Sequence, residues 1–558
     1  MNVSSEAPSD SRGLARLGKS QVLKRRFGFL SIFGFSCCIL ATGTKNHIRK
    51  LTVRSQNGGP AALAWGFPIA WMCSLSVYLC LAAMESIAPI SGGQYFWVAI
   101  LAPRKYKRFC GYLTGFPPYF LVAHFTSLAW IATLAVGSIF TGTIIQGLII
   151  LNYPEYEPHN YHGAFLAWAV IAVCIFVNTV VAGLLPVLEG VILLIHVLGF
   201  IAILITVVYL SPHGSAEDVF FRTLNEGNWP TQGLSYCVGF IGNVATFVGA
   251  DAAIHMAEEI ENAATNVPRA IVTTVLLNGS MGWAMLLAAL FCLSDIESVL
   301  NSPTGFPFVQ IFYNGTGRAG ATVMTVVIIV IVWCAVIGFA ATANRMTWSF
   351  ARDHGLPFHK YIRKVHARTR VPVVAVVVVN LIPCLLHLIY IGSSTAYNDV
   401  ISMSVSGLYA SYLIPCSFLL WRRVTGQIKP HRSSEDHGVE LSIGRDRDPN
   451  MPRSLTVEDN SDSDIVLEKQ ELEWGPWRVP GVLGIINNGF ACLFCVWVLF
   501  WDFWPPVTPV TGENMNYSVL VTGSVIIFAV TCYFLGGKVG YRGPLVDYEV
   551  KGFALRRS

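Results

Sequence analysis

Five ionisable residues stand inside long apolar stretches of this chain: His124, Glu189, His196, Asp251 and His255. Hydrocarbon penalises an unpaired charge, so such a side chain is by default a candidate for binding a charged solute or carrying an ion. Asp251 follows Gly249-Ala250 in the stretch 231–269, where an apolar run meets Gly239, Gly242, Asn243, Thr246 and Gly249 before resuming as Ala252, Ala253, Ile254 and Met256. A carboxylate at that restart either meets the ammonium of a solute or caps the local helix end. His196, and His124 after it, offer imidazoles that titrate near the pH of cellular compartments and suit proton coupling. The same rings also serve as neutral hydrogen-bonding groups between helices. Glu85 lies near the end of an apolar run within reach of nearby basic residues, and Glu258 and Glu259 follow the interrupted run. Arg345 and His387 sit nearer the ends of their runs, where a long or amphipathic side chain reaches the interface.

A membrane span interrupted at mid-depth is costly, because every backbone N–H and C=O in hydrocarbon needs a partner. Small and polar residues in mid-span therefore predict a discontinuous helix, whose two open ends can hold a charged or zwitterionic solute. The alternative is a glycine-kinked packing helix. If the chain is an inverted repeat, span one is the broken partner of span six, and the unwinding belongs at Phe33-Gly34-Phe35-Ser36-Cys37. Small residues there free backbone amides for an anionic group. Gly92-Gly93 ends span two and opens a short interfacial helix at Gln94, either as a structural elbow or as a moving inner gate.

The elements that must position these residues are apolar helices. Of 558 residues 53% are hydrophobic and only 13% charged, against about 25% charged in a soluble domain; mean hydropathy is +0.54. Spans are expected near 27–44, 62–88, 119–151, 162–182, 186–210, 232–256, 268–293, 319–349, 371–391, 400–421, 481–503 and 516–536. Lys and Arg concentrate before span one, after spans two, eight and ten, and in the tail, which places both termini in the cytoplasm. The fold expected is an all-α integral membrane protein. Its parts are a tail at 1–26, a ten-helix core at 27–421, a polar loop at 422–475, helices eleven and twelve at 476–536 and a tail at 537–558.

The N-terminal tail and the loop read as mobile, solvated segments. Ser454, Thr456, Ser461 and Ser463 stand among acids in the loop, a setting for regulatory kinases or trafficking factors or a plain linker. Asn314 and Asn516 head glycosylation sequons on the predicted outer side, while Asn278 heads one inside a span. The 14 Cys lie mainly in apolar runs without ligand spacing and read as small buried hydrophobes. No phosphate loop, dinucleotide fingerprint, nucleophile elbow or ligand set is present, so no enzyme, cofactor or metal is expected. The net charge of +5 lies on the cytoplasmic flank, where anionic lipid accounts for it without nucleic acid.

Several long motifs carry a resemblance: ESIAPISGGQYFWVAILAP, LLPVLEGVILLIHVLGF, FVGADAAIHMAEEIENAATNVPRAI, ANRMTWSFARDHGLPF and IGSSTAYNDVISMSVSGLYASYLIP. In that order they resemble the fungal amino acid, GABA and choline permeases of the amino acid–polyamine–organocation superfamily, over about 27–545. The resemblance implies about twelve transmembrane helices, a five-plus-five inverted repeat with helices one and six broken, and proton-coupled uptake of a small nitrogenous solute. It implies a solute site at Gly34, Phe35, Ser36 and Cys37 with Phe247, Val248, Gly249, Ala250 and Asp251. Glu258 and Glu259 match the family's acidic pair after helix six. The plasma membrane is the expected location, with the vacuolar membrane as the alternative. The sequence departs from the family at 43–57, where a basic stretch replaces the apolar outer half of span one. Either those residues are not native, or the site is altered, in which case a non-transporting nutrient receptor of the same fold becomes the alternative.

Overall fold

The computed structural model describes residues 8–40, 57–102, 118–293, 299, 302–393, 397–431, 472–512, 514–532 and 534–535. The basic stretch after span one, the basic run 104–108, the centre of the polar loop and the C-terminal tail lie outside the described residues.

Twelve apolar helices follow one another: α1 Phe29–Leu40, α2 Gly59–Ile87, α3 Pro118–Asn152, α4 Asn160–Thr179, α5 Leu185–Leu210, α6 Gln232–Thr246, α7 Ala263–Phe291, α8 Pro307–Arg352, α9 Val373–Gly392, α10 Asn398–Val424, α11 Gly481–Asp502 and α12 Ser518–Cys532. Nine of the described helices are long and apolar enough to cross a membrane. The other three, α1, α6 and α12, have 12, 15 and 15 described residues, α1 and α12 being followed directly by residues outside the description. Proline opens α2, α5 and α8 at the first turn, where the missing N–H costs no helix bond. The left-handed Gly317, with φ of 69°, kinks α8 near its start.

Helix packing follows the inverted repeat. If helices one to five correspond to six to ten, a two-fold axis makes corresponding helices meet, and α2–α7, α3–α8 and α4–α9 do pack directly. Several other contacts come in matched pairs, although the large α1–α5 contact has no α6–α10 counterpart of similar size. The α1–α7 contact mirrors α6–α2, α3–α4 mirrors α8–α9, α3–α10 mirrors α8–α5, and α2–α10 mirrors α7–α5.

Three local expectations are corrected. The N-terminal segment is not a free tail from residue 8 onward: Pro8–Arg16 is helical, Lys19 is buried, and Phe27 and Ile260 form a parallel β-bridge. Arg345 and His387 do not reach the interface. Arg345 is buried against Glu259 and Asn178, and His387 Nε2 lies 3.0 Å from the Ala135 carbonyl and 3.2 Å from Ser138 Oγ. Asn516 is committed, its amide donating to the Asp502 and Trp504 carbonyls, whereas Asn278 is buried, in line with its expected place inside a span.

Candidate functional site

α6 starts with Thr231, whose hydroxyl accepts from the Leu234 N–H at 3.2 Å, and stops at Thr246. Residues 247–251 form a turn, with Gly249 at φ of 113°, a conformation that a side chain would strain. The chain restarts as a single tight turn, Ala252–His255, closed by Ile254 N–H to the Asp251 carbonyl at 2.9 Å. The break leaves backbone groups unsatisfied, and α2 supplies partners: the Tyr78 hydroxyl donates to the Phe247 carbonyl, and Phe67 packs on the Phe247 ring at 5.1 Å. The glycine-rich interruption in the sequence thus folds as a discontinuous helix.

Asp251 sits at the restart, fully buried. Its Oδ2 accepts from Gln94 Nε2 at 3.0 Å and lies 3.9 Å from His255 Nε2, while Oδ1 has no hydrogen-bond partner. The capping role left open by the sequence is not realised, since the side chain accepts no backbone N–H of the restarted turn. Beside the carboxylate stand Trp130 of α3 and Tyr412 of α10, whose buried indole N–H and hydroxyl lie within its electrostatic reach and make no hydrogen bond elsewhere. Tyr412 packs between Tyr409 at 5.7 Å and Tyr78 at 6.3 Å, and Trp130 packs edge-on against His255 at 6.0 Å. An acid with a spare oxygen, ringed by aromatic faces, is chemically suited to an ammonium group. Tyr78, Trp130, Tyr409 and Tyr412 were not singled out from sequence; they converge from three distant helices, and no linear spacing marks them.

Contrary to the expected unwinding at 33–37, α1 is helical without interruption from Phe29 to Leu40. Its backbone amides there are spent within the helix, so they are not free for an anion. Gly34 serves close packing: a Cβ on it would stand 2.5 Å from the Glu189 carbonyl oxygen of α5. Phe35 and Cys37 are buried, and Cys37 Sγ lies 3.5 Å from Thr274 Oγ1 of α7. Ser36 is buried with an unpartnered hydroxyl. The restarted turn of α6 packs on both α1 and α8, which brings the two halves of the expected site together.

The described contacts of His196 and His124 are with groups other than Asp251. His196 Nε2 meets Asn278 Oδ1 at 2.9 Å, and Asn278 Nδ2 donates to the Cys37 carbonyl at 3.0 Å, a chain that ties α5 to α7 and α1. His124 stacks edge-on between Phe350 and Phe528, at 5.0 and 5.9 Å. Glu85 is fully buried and, contrary to the pairing expected from the nearby cations, has no partner for either oxygen among the described residues.

Below Asp251 lies a seam of ion pairs at the end carrying the N-terminal segment. Arg352 grips Glu258 through two bonds of 2.9 and 3.0 Å, and Arg345 Nε holds Glu259 at 2.7 Å. Lys19 pairs with Asp353, which also accepts from the Tyr95 hydroxyl at 2.9 Å. Gln21 donates to the Glu258 carbonyl at 2.9 Å, and Arg26 N–H to that of Glu259 at 2.8 Å. Gly92-Gly93 forms the elbow between site and seam. Gly93, at φ of 51°, presses on Ile254 so closely that a Cβ would stand 2.8 Å from its Cγ2. The next two residues then point opposite ways in function, Gln94 to Asp251 and Tyr95 to Asp353. Among the described residues no group of three or more His, Cys, Asp or Glu is arranged for a metal ion.

A chain of twelve described apolar helices with an inverted repeat, a broken sixth helix and polar groups held at the break has the architecture of a multi-pass transporter. The family model described as amino acid permease matches residues 27–525, and the chain belongs to that family. It is 29% identical, over 84% of its length and 92% of the relative's, to a Macrophomina phaseolina protein provisionally named an amino acid/polyamine transporter. It is 28% identical to the choline transporter of Saccharomyces cerevisiae, over 95% of this chain and 84% of that one. The GABA-specific permease of the same yeast is 28% identical over 74% of this chain and 72% of its own.

Proposed function

We propose that this permease is a proton-driven importer of a small amine-bearing solute at the plasma membrane, the solute being an amino acid, a GABA-like amino acid or a choline-like amine. The observation that carries the reading is Asp251: buried, in the break of α6, with one oxygen spare and aromatic rings around it. The solute's cationic nitrogen sits at Oδ1 against Tyr412 and Trp130, and Ser36 with the backbone of 247–250 receives its other end. The names of the choline and GABA relatives agree with a cationic or zwitterionic cargo. In this conformation the seam of Lys19–Asp353, Arg352–Glu258 and Arg345–Glu259 closes the inner exit. Release requires those pairs to part as α1 and α6 rock against the remaining helices. The elbow at Gly93, touching both α6 and the seam, transmits that movement.

The test is uptake of radiolabelled choline, GABA and an amino acid pool by permease-deficient yeast, at acidic and neutral external pH, normalised to surface protein. Concentrative uptake of one of these, stronger at acidic pH, is expected. Surface protein that moves none of them rejects the reading and directs attention to residues 43–57 and to a receptor role.

A further inference from the structure

Glu189 is the buried acid that the solute site leaves unused. It lies on α5 with 1% of its surface exposed, and neither carboxyl oxygen has a hydrogen-bond partner. α5 packs on α1, α7 and α8, and at Glu189 itself it faces α1 and α8. α1 touches the backbone at this residue through the side-chain-free face of Gly34. The titratable group shown to feel it is the Cys334 thiol of α8, and the His196 ring lies two turns along α5. The two buried cations of α8 are taken, Arg345 by Glu259 and Arg352 by Glu258, and its third, Arg318, is exposed near the start of the helix. A carboxylate with no counter-ion and no donor is tolerated in such a place only in its neutral form.

We propose that Glu189 is the group that takes up and releases the coupled proton, an inference that rests on the proton-driven reading above. In the conformation described, α1 is packed against α5 at backbone contact and Glu189 holds a proton on its carboxyl. When α1 tilts away, water reaches the carboxyl, which ionises and gives up the proton. A site whose charge state is bound to one of two conformations links proton flow to the conformational cycle. His196 is less suited to this task. Asn278 spends its N–H on the Cys37 carbonyl, so its Oδ1 must accept and His196 Nε2 must donate. The other ring nitrogen, Nδ1, is buried without a partner, so a second proton there would have no acceptor. His196 is therefore a neutral strut between α5 and α7.

The experiment compares wild type, Glu189→Gln, Glu189→Asp and His196→Gln in yeast vesicles, with radiolabelled choline and GABA as probes and surface-equivalent protein loading. Two readouts are taken: counterflow with no pH gradient, and accumulation under an inward gradient of about two pH units, which supports up to about 100-fold accumulation per proton. Glu189→Gln is expected to retain counterflow within about twofold while its accumulation ratio falls to near one. Glu189→Asp should keep part of the gradient response, and His196→Gln should keep the wild-type pH profile. Unchanged gradient-driven accumulation in Glu189→Gln overturns the proposal, as does loss of counterflow and accumulation together in both Glu189 variants. Wild-type protein that performs counterflow yet ignores the pH gradient would instead reject proton coupling itself, whatever Glu189 does.

Discussion

Two sets of buried acids in this molecule are treated in opposite ways. At the inner seam Glu258, Glu259 and Asp353 are each gripped by a cation from another part of the chain. Within the helix bundle Glu85 and Glu189 have no partner, and Asp251 keeps one oxygen free. All are buried to a similar degree, so burial does not separate them. What separates them is whether the fold supplies the compensating charge. A paired acid holds segments together, and parting the pair has a defined cost; an unpaired one leaves room for a charge that comes and goes, the role we propose for Asp251 and Glu189. Glutamine 94 and tyrosine 95 join the two sets, since adjacent side chains bond Asp251 and Asp353.

Breaking the seam should have the largest effect on the protein itself. Arg352→Gln strands Glu258 in a buried position and is expected to cost about 3–5 kcal/mol, read as loss of surface protein and a lower detergent melting temperature. The double variant with Glu258→Gln removes both charges and should recover much of the loss; no recovery would mean that the pair is not the relevant unit. A smaller effect is expected at the hinge. Gly93→Ala introduces a side chain at positive φ and against Ile254, at a cost of about 1–3 kcal/mol, and should slow uptake more than it lowers abundance. Equal losses of both would make the elbow structural only.

The smallest effect lies outside the membrane, at His354 beside the seam. Partial burial, with His359 and Arg363 close by, lowers its pKa in the folded protein. The unfolded chain therefore binds the extra proton more readily, so stability falls as pH drops through about 6.5 and rises again toward neutrality. Melting temperature measured from pH 7 to 5.5 should decline less steeply in His354→Gln than in wild type. An identical slope would remove His354 from the account.

Much of this could be read from the chain. The interruption at Gly249 and Asp251 is written in residue types that a continuous span does not tolerate, and it folds as expected. The acidic pair at 258–259 likewise follows from its place after the break. Symmetry reasoning was less faithful to α1. Gly34 read as a site of unwinding, yet its missing side chain is used to bring α1 against the Glu189 carbonyl, and one glycine serves either purpose. The partners of the acids were illegible for a different reason. Lys19 lies in a polar tail whose composition favours solvent, and only the tertiary fold buries it on Asp353, more than three hundred residues away. Trp130, Tyr78 and Tyr412 resemble dozens of other aromatics until three helices bring them to one carboxylate.

The most direct test of the central claim is uptake of radiolabelled choline and GABA by wild type and Asp251→Asn, each divided by surface protein. Asparagine keeps the size and the bond to Gln94 but removes the charge. Loss of a buried charge partner for the solute is worth about 2–5 kcal/mol, so normalised uptake should fall at least about 30-fold while abundance stays near wild type. Normalised uptake that survives the substitution, or that falls only in step with abundance, would contradict the assignment of Asp251 as the solute's counter-ion.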